Sequence, residues 1–168
     1  MAELKKSKTL DDATRLQIVE ALQKSYNMEI ETVANYLANS IHLDGMLATE
    51  IKESLEEDVQ EELGHASQLA KRIKILGGKV PGSQALKMVQ TGLQPPDNSL
   101  ALGSVIQGVI DAEEGAIDQY QKIIEMTEEV DMVTQDMCIG LKGDEEEHRR
   151  EFLGFQREWE VIKKQLNL

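Results

Sequence analysis

Two short stretches of this sequence carry residues that can hold a metal ion. Glu145 and His148 within DEEEH, and Glu62 and His65 within EELGH, each form a Glu-x-x-His pair. On an α-helix, residues three apart share a face and rise by about 4.5 Å, so a carboxylate oxygen and an imidazole nitrogen can close on one cation. The chain has 21 Glu among 168 residues, so such a pair also arises by chance, as part of a solvated acidic face. The elements around the pairs decide between these readings.

Four amphipathic stretches supply them. The first, over about 11–43, has Thr9 or Asp11 to cap it and an inward face of Leu22, Tyr26, Glu29, Val33 and Tyr36. Glu31 lies off that stripe and is expected in solvent. Asp44-Gly45 reads as a turn. The second helix ends near 76, with Ile51, Leu55, Val59, Glu62, Leu69, Ile73 and Leu76 on its stripe and His65 one turn past Glu62. Asp58 is expected to be partly exposed there. Gly77-Gly78 stops the helix, and 78–98 contains all three prolines. A short helix is expected over about 83–90. Some 20 residues span up to about 66 Å extended, against about 45 Å for a 30-residue helix. This segment can therefore cross the whole bundle and deliver the third helix parallel to the second. The third helix, over about 99–126, carries Leu102, Ile106, Val109, Glu113, Ile117, Tyr120 and Ile124. Glu113 takes the inward position; Glu114, rotated by about 100°, is the alternative. The fourth, over about 131–166, carries Cys138, Leu141, Glu145, His148, Phe152, Phe155, Trp159, Ile162 and Leu166. His42 reads as a helix-end residue.

Each helix thus places one acid in the middle of an apolar stripe. A buried, unpaired carboxylate is costly, and four of them require a common partner. Their depths agree: Glu29 lies 15 residues before Asp44 and Glu62 lies 17 after Gly45, while Glu113 lies 15 before Glu128 and Glu145 lies 17 after it. Antiparallel hairpins then bring all four to one level. The halves also repeat, with 33 residues from Glu29 to Glu62 and 32 from Glu113 to Glu145. Each half offers one lone Glu and one Glu-x-x-His, the ligand pattern of di-iron and di-manganese helix bundles. Oxygen and nitrogen ligands suit iron or manganese better than a thiolate-preferring metal. In that arrangement Glu62 and Glu145 bridge two metals, Glu29 and Glu113 are terminal ligands, and His65 and His148 bind one metal each.

The composition is consistent with one helical domain. A net charge of −13 argues against general binding to nucleic acid or a membrane surface. One Cys allows no disulfide within the chain, and Cys138 reads as a small core residue. MAELKKSKTLDD lacks an apolar signal region, and no apolar run approaches a membrane span, so a cytoplasmic location is the expectation.

The chain resembles the ferritin-like superfamily, and within it the bacterioferritins, over about residues 20–160. EIETVANY looks like the family's first-helix motif, EELGHASQLAKRIKILGG like the second and DMVTQDMCIGLKGDEEEH like the fourth. The resemblance implies an all-α, ferritin-like four-helix bundle with a long crossover between the second and third helices. Residues 1–10 would form a mobile N-terminal arm and 11–168 the di-iron bundle. It implies a ferroxidase that binds two Fe ions per chain, with Mn or Zn as substitutes, and oxidises Fe(II) with oxygen or hydrogen peroxide. Glu29, Glu62, His65, Glu113, Glu145 and His148 would be the ligands. Tyr36 would neighbour them or be redox-active, against a plain core role with its hydroxyl satisfied.

Departures from the family pattern shape further expectations. Leu63 stands where bacterioferritins carry their haem-ligating Met, so no haem is expected. About 20 residues follow His148, which leaves little room for the family's short fifth helix, so a homo-oligomer of 12 subunits is preferred over 24. Iron storage and detoxification is the leading functional expectation. A rubrerythrin-like di-iron oxidase or peroxidase without storage is the alternative, as is a DNA-protecting, Dps-like assembly resting on Lys5, Lys6 and Lys8. The net charge makes DNA the weaker partner, and no membrane partner is expected.

Overall fold

A computed structural model describes residues 10–166 of the chain. Four α-helices dominate, α1 Asp12–His42, α2 Thr49–Ile75, α3 Leu102–Thr127 and α4 Met132–Leu166, and there is no strand among the described residues. The expected mobile arm, residues 1–10, lies outside the described residues except for Leu10.

Local chemistry sets the helix ends. Asp11 caps α1 by accepting the Thr14 N–H at 2.8 Å. Gly45 turns the chain between α1 and α2 at φ 105°, and Gly77 closes α2 at φ 77°, a region that disfavours any side chain. Asp131 opens α4 by accepting the Thr134 N–H at 3.1 Å. It also binds Arg72 through both oxygens, at 2.6 and 2.8 Å. That pair fastens the end of α2 to the start of α4.

The helices form two antiparallel hairpins, α1 with α2 and α3 with α4, joined mainly where α1 packs on α3. The segment between α2 and α3 crosses the length of the bundle, because the Asp44 N–H beyond α1 donates to the Ser99 carbonyl just before α3. Hence α3 runs parallel to α2. The crossover contains two single 3₁₀ turns, Ser83–Ala85 and Thr91–Leu93, rather than the expected short helix over 83–90. Side chains of α1 occupy the backbone groups that a helix would have used. Gln23 donates to the Lys79 carbonyl, Asn27 pairs with the Lys87 backbone, Glu31 accepts the Gln90 N–H and Asn39 donates to the Leu93 carbonyl. Glu31 is therefore buried, at 2% exposed, and not in solvent as its position off the stripe suggested. His42 continues the row, with Nε2 2.6 Å from the Pro96 carbonyl oxygen. Close approach also matters at Gly108, where a Cβ would lie 2.5 Å from the Gly92 carbonyl oxygen.

The core falls into two apolar clusters along the bundle axis. One gathers Leu43, Ile51, Leu55, Ile106, Val109 and Phe152 near the α1–α2 turn. The other gathers Ile18, Leu22, Leu69, Ile73, Ile123 and Leu141 toward the opposite end, with Cys138 buried among them. The acids that interrupt the stripes lie between the two.

Candidate metal centre

At this middle level the four helices bring six side chains together. Ligand atoms of Glu29, Glu62, His65 and Glu145 lie within 4.8 Å of one another, and so do those of Glu62, Glu113, Glu145 and His148. All six residues are buried. The two groups share Glu62 and Glu145, the arrangement that two adjacent ions with two shared carboxylates would need. Glu113 faces this site, while Glu114 is exposed on the outer side of α3.

Both imidazoles turn Nδ1 inward. His65 Nδ1 lies 3.1 Å from Glu145 and 3.3 Å from Glu62; His148 Nδ1 lies 3.5 Å from each of the same carboxylates and 3.9 Å from Glu113. These approaches lie within ion-pair range without hydrogen-bond alignment. Both oxygens of Glu62, both oxygens of Glu145 and the two Nδ1 atoms are buried without a hydrogen-bond partner. Six convergent orphaned donor atoms are costly in a protein interior, and their oxygen–nitrogen set suits a hard to borderline divalent cation.

The outer nitrogens are held from the surface. His65 Nε2 lies 3.3 Å from Asp144, and His148 Nε2 lies 3.0 Å from Glu61 and 3.8 Å from Asp58. A carboxylate behind a ligating imidazole fixes ring orientation and raises its basicity. Asp58 is 7% exposed, more deeply placed than its sequence position suggested, beside His148 of α4. Two buried tyrosines complete the surroundings. The Tyr36 hydroxyl donates to Glu113, and the Tyr120 hydroxyl donates to Glu29.

Burial sets the protonation pattern, and neighbouring charges modify it. Burial pushes the carboxyls of Glu29 and Glu113 well above the usual range, and the charges of Glu62 and Glu145 push them further. Burial also opposes a charge on Glu62, yet the rings of His148 and His65 prevail and hold its carboxyl at about 2. Burial disfavours imidazolium at both histidines. The carboxylates of Glu145 and Glu62 nevertheless lift His65 to about 10 and His148 to about 12. Burial raises both tyrosines, and so do the carboxylates they face. Burial raises Asp58 to about 7, partly offset by His148.

Sequence reasoning gave no role to Tyr120, Asp144 or Glu61, although the same doubling marks them. Tyr36 lies seven residues after Glu29, and Tyr120 lies seven after Glu113. Glu61 immediately precedes Glu62, and Asp144 immediately precedes Glu145.

Comparison with known proteins gives a consistent picture. A family model described as a ferritin-like domain matches residues 19–160. The bacterioferritin of Desulfovibrio desulfuricans is 27% identical over 135 residues, covering 80% of this chain and 71% of that protein. Its solved structure, described as having a diiron site, superposes with a TM-score of 0.76 at 22% identity, covering 89% of this chain and 84% of that one. The bacterioferritin-related protein of Bacteroides fragilis, described as a dodecameric thioferritin, superposes with a TM-score of 0.81 at 21% identity, covering 90% of each chain. No helix among the described residues is long and apolar enough to cross a membrane.

Proposed function

The chain belongs to the ferritin family, and from that premise we propose that it is a ferroxidase that stores iron. It takes two Fe(II) ions per chain, oxidises them with oxygen or hydrogen peroxide, and confines the product within a closed homo-oligomer. The observation that carries this reading is the sharing of Glu62 and Glu145 between two four-residue ligand groups. Two iron ions held there supply one electron each to a single oxidant molecule. Glu62 and Glu145 bridge them; Glu29 with His65 and Glu113 with His148 hold one ion each. Asp144 and Glu61 orient the imidazoles from the surface, where both are more than half exposed and present negative charge to an arriving cation. Tyr120 and Tyr36 fix the terminal carboxylates by occupying one oxygen of each. The apolar clusters on either side exclude bulk water. No haem is expected, because Leu63 offers no ligand atom.

A dodecamer is the preferred assembly, supported by the described dodecameric state of the Bacteroides fragilis relative. Twelve chains of 18.8 kDa give a particle of about 226 kDa. Anaerobic Fe(II) titration should saturate at about two ions per chain. Aerobic iron well beyond that ratio should stay soluble and co-migrate with the particle. Saturation at one ion, unaffected by Glu62→Ala, would overturn the shared site. A dimer that precipitates excess iron, and turns over only with an added reductant, would replace storage with the rubrerythrin-like oxidase or peroxidase.

A further inference from the structure

At the end of the bundle that carries the α1–α2 turn, a cleft of about 410 Å³ opens between the start of α2, the start of α3 and the end of α4. Its lining divides by chemistry. Ile106, Phe155 and Trp159 give it apolar surface, and Glu50, Glu53 and Glu158 give it negative charge. Its rim carries Met46, which is 95% accessible, and Leu47, with exposed Leu100 beside it. An apolar hollow with three acids on its lining fits a segment that is apolar at one end and basic at the other.

The sequence contains such a segment. Residues 1–9 read MAELKKSKT, with Met1, Ala2 and Leu4 followed by Lys5, Lys6 and Lys8. A larger cleft of about 1380 Å³ beside α1 is a poorer match, because Lys24, Lys79, Lys87 and Lys122 outnumber Glu20 and Asp118 on its lining, whereas the end cleft is lined by acids without a lysine. We propose that the N-terminal arm of one chain docks in the acidic end cleft of another chain, Leu4 entering the apolar part and the three lysines facing Glu50, Glu53 and Glu158.

Reach dictates that the exchange is between copies. The arm leaves α1 at Asp12, whereas the cleft lies at the opposite end of that 31-residue helix. The helix is about 45 Å long. Leu4 precedes Asp12 by eight residues, which cover at most about 29 Å fully extended. A chain cannot fill its own cleft. The contact therefore ties copies together and contributes to assembly. It does not rest on the ferroxidase reading, since its test measures mass and linkage and not iron chemistry.

Charge reversal and cross-linking test it on the full chain, with far-UV circular dichroism as the check on folding. Exposed ion pairs are individually weak, so three are reversed together. Lys5→Glu, Lys6→Glu and Lys8→Glu in one variant should shift the native mass by sedimentation to smaller species. Glu50→Lys, Glu53→Lys and Glu158→Lys in a second variant should do the same. Combining all six should restore the original mass. In a third variant, Leu4→Cys with Met46→Cys should give reductant-sensitive linkage between chains, with Cys138 buried and silent. The idea is overturned if arm reversal leaves the mass unchanged, if the six-fold variant fails to restore it, or if the paired cysteines link only within a chain or not at all.

Discussion

The protonation pattern of the metal-free site predicts how many protons leave when metal enters. Burial and the neighbouring carboxylates shift Glu29 and Glu113 toward their protonated forms. At pH 7, His65 and His148 hold their protons because they titrate near 10 and 12. Glu62, held near 2, has none to lose. Two raised carboxyls and two raised imidazoles thus stand where two divalent cations would bind, so metal entry should displace protons, up to about four per pair of ions. Charge balance supports the count, since four protons and two divalent cations carry the same charge. Mn(II), or Fe(II) under strict anaerobiosis, should be titrated by calorimetry at pH 7 in buffers of different ionisation enthalpy. The dependence of the observed heat on buffer enthalpy gives the proton number directly. A second readout follows by linkage: the logarithm of the overall two-ion affinity should rise with pH near neutrality, by the number of protons released and at most about four per pH unit. Release of fewer than about one proton would refute the protonation pattern and the charge-balance argument with it.

The same groups fix the sign of stability against pH in the absence of metal. Glu29 and Glu113 bind protons more tightly folded than unfolded, so their contribution wanes as pH rises above the ordinary carboxyl range. The histidines add theirs fully below about pH 6.5 and lose it as pH rises toward 10 and 12. Glu62 acts oppositely, losing its contribution as pH falls from about 4.5 toward 2. The metal-free bundle should therefore melt lower at pH 9 than at pH 6.

Three substitutions probe separate parts of the argument. Glu145→Gln removes a proposed bridge at nearly constant volume; it should abolish rapid Fe(II) oxidation while leaving metal-free melting within about 3 °C of the parent, a shift of about 1 kcal/mol. Asp144→Asn and Glu61→Gln, each behind a different imidazole, should weaken one of the two bound ions by about tenfold or more and spare the other, seen as a split in the titration. Arg72→Ala leaves buried Asp131 without its cation and should cost about 3 kcal/mol in denaturant unfolding without changing metal stoichiometry.

The central level of the bundle was legible in the sequence because it lies on the helical period. Glu29, Glu62, Glu113 and Glu145 each sit within an apolar stripe, and the hairpin turns fix their relative heights. Glu31 was misplaced because only the apolar period was followed. Gln23, Asn27, Glu31, Asn35 and Asn39 recur at every fourth residue, a polar stripe facing the crossover that a search for apolar faces passes over. The helix expected over 83–90 failed for the same reason, since its backbone partners reside on α1 and not in its own sequence. Asp58 reads as an ordinary acid next to Val59; only the packing of α4 against α2 reveals its burial. Tyr120 could have been given a role from its seven-residue distance to Glu113, matching Glu29 and Tyr36.

The pairs around the site have a further property that spacing alone did not show: they are exchanged between the hairpins. Tyr36 on α1 holds Glu113 on α3, and Tyr120 on α3 holds Glu29 on α1. Glu61 on α2 faces His148 on α4, and Asp144 on α4 faces His65 on α2. Each proposed terminal ligand is thus positioned by the other half of the molecule. A single hairpin would carry one Glu and one Glu-x-x-His yet leave all of them rotationally free, with the entropy of fixing them still opposing metal binding. Docking of the hairpins supplies that order through the two apolar clusters, whose formation does not require metal. The inward oxygens of Glu62 and Glu145 and the inward Nδ1 atoms are kept convergent and shielded from water by the two cores above and below them.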